Sequence, residues 1–193
     1  MGKIFELTEK YLPAATDNSV FVEIGSDRWE GSTKYFADLA IKHNTVLHTV
    51  DIDSDPQRRH HTMSGVVWHC TIGSVWAVNN FPILDKKITC LYLDNFDYDW
   101  ETKKTSQMIE DQKILYRDRF NLLMSNQNSQ LEHMKQMLAL YPYMNEHSIV
   151  VCDDTYTYND CWIGKSGPVV VFLLANGYTI QKTTTDCGVI LKR

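Results

Sequence analysis

The chain lacks a paired-cysteine motif, a dense basic surface and any apolar run long enough to span a bilayer. Its five cysteines (Cys70, Cys90, Cys152, Cys161 and Cys187) are an odd count with no CxxC spacing, which argues against a disulfide framework and against a zinc finger or ribbon. Four fall in or beside apolar, strand-like runs, where a thiol behaves as a small apolar side chain. Reduced thiols fit a cytoplasmic protein. Lys and Arg number 19 against 24 Asp and Glu, a formal charge of -5. Nucleic-acid surfaces lean on clustered cations, so no such partner is expected. The one basic spot, Arg58-Arg59-His60-His61, reads as a solvated helix end. No signal peptide and no spanning segment are read, so neither export nor a membrane role is expected. No repeat or low-complexity tract divides the chain, and 193 residues suit one domain, 1–193, with a full core.

What is present is a series of short apolar runs, each ending in an acidic residue. Val20 to Ile24 leads into Gly25-Ser26, and Gly31-Ser32-Thr33 then opens an amphipathic helix with Tyr35, Phe36, Leu39 and Ala40 inward. Thr45 to Val50 ends at Asp51, Ile88 to Leu93 at Asp94, and Ser148 to Cys152 at Asp153-Asp154. Val66 to Cys70 is a further strand, followed by a turn at Gly73-Ser74. A helix from Ser129 to Leu140 (Leu131, Met134 and Leu138 inward) and another from Val169 to Ala175 complete the alternation. A short N-terminal helix over residues 3 to 12 is expected to cover a sheet edge. The closing strands, Tyr178 to Thr183 and Cys187 to Leu191, are joined too tightly for a crossover and must be antiparallel. The expected fold is α/β: a single-domain, Rossmann-like, doubly wound, mostly parallel seven-stranded sheet with a C-terminal antiparallel hairpin.

Residues 97–128 depart from this rhythm. The segment is long and polar, with one amphipathic set (Met108, Ile109, Ile114, Leu115, Phe120). A connection of this length in a compact domain is expected to be a lid, a substrate element or an oligomerisation insertion.

Ligands of open α/β sheets bind beyond the carboxyl ends of the strands. Glu23, Asp51, Asp94, Asp153 and Asp154 converge on that rim and need ribose hydroxyls, backbone N–H groups, a cationic ligand or a metal to offset their repulsion. Phe96, Tyr98, Trp100, Tyr156, Tyr158 and Trp162 gather there too, suited equally to a planar substrate pocket and to a contact in a homo-oligomer.

In this order, Val22-Glu23-Ile24-Gly25-Ser26 with Gly31-Ser32-Thr33, Thr49-Val50-Asp51-Ile52-Asp53, Ile72-Gly73-Ser74, Leu91-Tyr92-Leu93-Asp94 and Val151-Cys152-Asp153-Asp154 resemble class I S-adenosylmethionine-dependent methyltransferases. The resemblance is to the small O-methyltransferase-like branch that includes catechol O-methyltransferase, and it runs from about residue 18 onward. It implies S-adenosylmethionine as cofactor, held by Glu23, Gly25, Ser26, Gly31, Thr33, Asp51, Ile52, Ser74 and Asp94. In that picture Gly25 and Ser26 lie beside the methionine part, Thr33 holds its carboxylate, and Asp51 accepts from the ribose. Ile52 packs on the adenine, with Ser74, Val75 and Trp76 at its edge. The metal-dependent members further imply Asp94, Asp153 and Asp154 as ligands for Mg²⁺ or another hard divalent cation. A lysine base is missing after Asp94, where Asn95-Phe96-Asp97-Tyr98-Asp99-Trp100 stands instead, so Asp97 or Asp99 could take its place, and in a metal-free site Asp94 or Asp97 is the candidate base. The implied activity is O-methylation of a small-molecule or sugar-like acceptor.

Two other classes compete. A nicotinamide-dependent oxidoreductase is disfavoured because Gly25 to Gly31 makes no tight G-x-G-x-x-G and no Tyr-x-x-x-Lys pair stands out. A cofactor-binding regulatory or assembly protein without turnover would share every motif above.

Overall fold

The computed structural model describes residues 3–14, 18–26, 31–60, 62–96, 99, 105–185 and 187–193, the side chains of 58–60 excepted. In chain order the elements are β1 (Ser19–Ile24), α1 (Ser32–Lys42), β2 (Leu47–Asp51), α2 (Asp55–His60), β3 (Val66–Cys70), α3 (Gly73–Asn79), β4 (Lys87–Leu93), α4 (Ser106–Phe120), α5 (Asn126–Leu140), β5 (Met144–Cys152), β6 (Thr155–Tyr158), β7 (Cys161–Gly164), α6 (Gly167–Ala175), β8 (Thr179–Thr184) and β9 (Gly188–Lys192). Seven strands form one sheet in the order β3-β2-β1-β4-β5-β9-β8. The pairs from β3 through β5 are parallel, and β9 alone is reversed, antiparallel to both β5 and β8. The expected doubly wound sheet with a closing antiparallel hairpin is therefore the one observed.

Strand alternation splits the core between two faces. Val20, Val22 and Ile24 of β1, with Leu91 and Leu93 of β4 and Val150 of β5, pack with Trp76, Met137 and Leu173 from α3, α5 and α6. Phe21, Cys90, Tyr92, Ile149, Val151 and Ile190 pack on the other face with Phe36 and Leu39 of α1. Every residue of β1 is buried, as expected for a central parallel strand covered on both sides.

Three expectations need correction, and one element is added. The N-terminal segment is a 3-10 helix over Ile4–Tyr11, and it lies on the α1 face, with Ile4 and Phe5 in the core, rather than over a sheet edge. Residues 155–164 form a two-stranded antiparallel hairpin, an element absent from the expected order. Its signal was present: alternating Thr155-Tyr156-Thr157-Tyr158 before Asn159-Asp160, both at positive φ (47° and 61°), is the chemistry of a tight hairpin turn. In α5, Leu131 and Leu138 are about half exposed, at 52% and 50%, and the buried stripe is Ser129, His133, Gln136, Met137 and Leu140. His133 is buried because its ring bonds Asn95 and Ser166 on other elements, a demand that hydrophobic periodicity does not register. In α4, likewise, Ile109 and Tyr116 are buried while Met108, Ile114 and Leu115 are exposed.

Candidate active site

β1 sits between β2 and β4, so the crevice beyond its carboxyl end is the point where strand order reverses. Such crevices are where open α/β sheets bind ligands. Gly25 forms its floor. It holds φ +98°, and a Cβ there would lie 2.5 Å from the Asp94 carbonyl carbon and 2.6 Å from the Asn95 nitrogen. Only glycine permits this approach of two backbones.

Glu23 lies beneath that floor, fully buried. Ser32 Oγ donates to its Oε1 at 2.7 Å, and Thr33 Oγ1 and Thr49 Oγ1 donate to its Oε2 at 2.6 Å each. Thr49 Oγ1 spends its proton on Glu23, so Ser26 Oγ donates to Thr49 across 2.7 Å. Burial pushes Glu23 up to about 7, against the pull of the three hydroxyls. Glu23 and Thr33 thus tie the start of α1 to β1 and β2, with the Thr33 hydroxyl turned into the sheet. Gly31 caps α1 at φ 91°, and a Cβ there would meet nothing within 4 Å.

Asp51 closes β2. Its Oδ2 accepts Ser26 N–H at 3.0 Å and its Oδ1 accepts Asp53 N–H at 2.7 Å, so one carboxylate fixes the two loops that border the crevice. Ile52, partly buried, follows it. Ser74 is drawn the other way. Its N–H and hydroxyl both donate to Glu132 of α5, at 2.9 and 3.0 Å. Trp76 is core, 1% exposed and edge-on to Phe81.

The acidic cluster lies at the ends of β4 and β5. Tyr92 Oη donates to Asp153 Oδ2 at 2.6 Å and lies 3.1 Å from Asp94 Oδ2. Lys165, between β7 and α6, places Nζ 2.8 Å from Asp94 Oδ1 and 3.0 Å from Asp154 Oδ2. Burial raises Asp94 above the usual carboxylate range while Lys165 opposes the rise. Burial and the neighbouring carboxylates push Asp153 up to about 7. Sequence reading brought Asp94, Asp153 and Asp154 together correctly but missed Lys165, whose place depends on the unread hairpin.

The donor sets differ in what they fit. Among the described residues, no group of three His, Cys, Asp or Glu side chains is arranged to hold a metal ion. A hard cation takes oxygens on all sides, and here an ammonium lies against Asp94 and Asp154. The cluster does not fit a divalent metal. An adenosyl sulfonium amino acid fits the crevice better, through the fixed Asp51 carboxylate and Asn95. The buried Asn95 Oδ1 has no hydrogen-bond partner among the described residues, and an acceptor buried without a donor is costly.

The loop after β4 is held from behind. His133 Nε2 donates to the Asn95 carbonyl at 2.6 Å, so its Nδ1 accepts from Ser166 Oγ, also at 2.6 Å. Burial lowers His133 to about 3, which keeps this neutral tautomer. Ser129 Oγ donates to the Phe96 carbonyl at 3.0 Å. Helix α4 then crosses above the sheet. Its Tyr116 ring packs 5.0 Å from Phe96 beyond β4, and its Arg119 reaches Asp53 beyond β2 at 2.8 Å and Asp55 at 3.3 Å. Because β1 lies between β2 and β4, the helix touches the loops on both sides of the crevice. Asp97, Tyr98 and Trp100 lie outside the described residues. Of the other rim aromatics, Trp162 packs on the core, while Tyr158 is 65% exposed.

Neither a sequence-family model nor a curated protein matches the chain. Solved structures do. A calicheamicin methyltransferase is 10% identical over 90% of this chain and 71% of its own length, with a TM-score of 0.54. The apo form of a TDP-rhamnose 3'-O-methyltransferase of calicheamicin biosynthesis is 12% identical over 97% and 75%, with a TM-score of 0.52. A protein described as a putative rRNA-methylase from Clostridium thermocellum is 10% identical over 97% and 94%, with a TM-score of 0.53. At these identities the likeness establishes the fold. The chain has the Rossmann-like α/β fold of methyltransferases, with a reversed strand inserted beside its last one. Among the described residues no helix is long and apolar enough to cross a membrane.

Proposed function

We propose that the chain is an S-adenosylmethionine-dependent methyltransferase acting on an oxygen of a small-molecule or sugar-like acceptor. The observation that carries this reading is the Asp51 carboxylate, fixed by the Ser26 and Asp53 N–H groups beside the crevice where strand order reverses. The cofactor, when bound, supplies an electrophilic methyl carbon. The chain's own residues do the rest. Asp51 receives the ribose hydroxyls, the Gly25-Ser26 turn borders the amino-acid part, and Asn95 Oδ1 gains a donor. Asp94 stands at the edge of the same crevice and takes the proton from the acceptor hydroxyl. A carboxylate raised above its ordinary value, as Asp94 is, is a stronger base than a solvated one. Helix α4 covers the mouth and excludes water, which leaves catalysis to positioning and proton removal.

A formal charge of -5 supports a small acceptor over a polyanionic one, although one structural neighbour is described as an rRNA methylase. The test is calorimetric titration with S-adenosylhomocysteine, then methyl transfer from labelled S-adenosylmethionine to panels of sugar nucleotides, phenols and RNA. Saturable binding with transfer to a hydroxyl compound is expected. Binding without transfer to any panel favours a regulatory protein, and no binding at millimolar ligand removes the reading.

A further inference from the structure

Lys165 is one of the most enclosed charges in the protein, with its side chain 8% exposed between Asp94 and Asp154, whose side chains are 15% and 29% exposed. Taking an ammonium out of water costs several kcal/mol unless partners are fixed around it, and the fold fixes them. Lys165 N–H donates to the Asp154 carbonyl at 3.0 Å. Gly164, at φ +89°, brings its backbone so close that a Cβ would sit 2.1 Å from that same carbonyl oxygen. On the other side, Ser166 N–H donates to Thr155 Oγ1 at 3.1 Å, and Thr155 Oγ1 donates to the Asp153 carbonyl at 2.8 Å. Ser166 is in turn bound to His133 of α5. The β6–β7 hairpin therefore folds back so that its last residues deliver one cation to the carboxylates at the ends of β4 and β5.

We propose that Lys165 is the resident cation of the Asp94–Asp153–Asp154 cluster, filling by covalent attachment the place of a divalent ion, so that the site works without metal. Lys165 is a positioning residue: it holds the Asp94 carboxylate at the crevice edge and offsets the neighbouring negative charge. Its role in turnover rests on the methyl-transfer reading. The occupancy of the cluster does not.

The experiment uses the full chain and Mn²⁺ as probe, followed by electron paramagnetic resonance and calorimetry. Wild type is expected to show no saturable Mn²⁺ site up to millimolar metal. Lys165→Met, which keeps the length of the side chain and removes its charge, is expected to bind one Mn²⁺ at least about tenfold more tightly than wild type, as three carboxylates lose their counter-charge. Lys165→Arg is expected to stay metal-free. A wild-type site in the micromolar range overturns the proposal, and so does a folded Lys165→Met variant that gains none. If that variant fails to fold, the wild-type titration decides alone. Because the readout is metal occupancy, loss of the methyltransferase reading would appear separately, as absent S-adenosylhomocysteine binding.

Discussion

Arg119 of α4 donates to Asp53 at 2.8 Å, joining the least regular part of the chain to the loop that Asp51 organises. With Tyr116 packed on Phe96, it ties α4 to the loops after both β2 and β4. Arg119 is 41% exposed, so its contribution to global stability is below about 1 kcal/mol. Arg119→Ala should leave the melting temperature nearly unchanged while amide exchange in α4 accelerates. High salt should reproduce part of that acceleration in wild type, because exposed ion pairs are screened. Hydrogen-exchange mass spectrometry checks both.

Gly25→Ala should be severe. The added Cβ would meet backbone at 2.5 Å, and the residue sits at φ +98°, so neither atom can step aside cheaply. A loss of roughly 2–4 kcal/mol is expected, together with loss of S-adenosylhomocysteine binding. Gly177→Ala is the control. Its φ is +83° but its surroundings are open, and a cost of about 1 kcal/mol is expected. Chemical denaturation of both variants measures the difference.

Glu23 sets a pH dependence. Its ordinary value of 4.5 is raised to about 7 in the folded protein, so the native state holds the extra proton. Its contribution is complete below pH 4.5 and is lost as pH rises through about 7, roughly 3 kcal/mol for a shift of this size. Asp153, pushed up to about 7 as well, acts in the same direction. Glu23→Gln can keep the Thr33 and Thr49 donors on its amide oxygen and give its N–H to Ser32. It should flatten the fall in melting temperature between pH 5 and about 8 without abolishing it.

Asp51→Asn should weaken cofactor binding by about tenfold or more, since hydrogen bonds to a charged group contribute about 1.5–3 kcal/mol. Titration with S-adenosylhomocysteine reads this directly. Folding should suffer less than in Gly25→Ala, because an amide oxygen can still accept one of the two loop N–H groups.

The parallel sheet was legible because each strand writes its own signal locally: a β-branched run, an acidic end, a turn. The same locality explains why Glu23, Gly25, Asp51 and Asp94 could be placed from sequence. Lys165 could not, since nothing beside it in the chain marks a cation for burial; its partners lie on β4 and beyond β5. His133 and Glu132 were invisible for a related reason. Their burial is dictated by the Asn95 carbonyl and by Ser74 rather than by apolar spacing, so a reading built on Leu131 and Leu138 turned α5 by the wrong angle. Ser74 itself, expected at an adenine edge, shows the same effect in reverse, because its partner on α5 is fixed only by the assembled fold.

Gly188 begins β9, and a Cβ there would lie 2.3 Å from the Cβ of Ile4, so the 3-10 helix over Ile4–Tyr11 rests directly on a strand more than 170 residues further along the chain. A ribosome makes Ile4 and Phe5 long before their seat exists. This half of the hydrophobic interior therefore cannot be completed step by step during synthesis, and until β9 emerges two large apolar side chains must wait uncovered, open to chaperones or to neighbouring nascent chains.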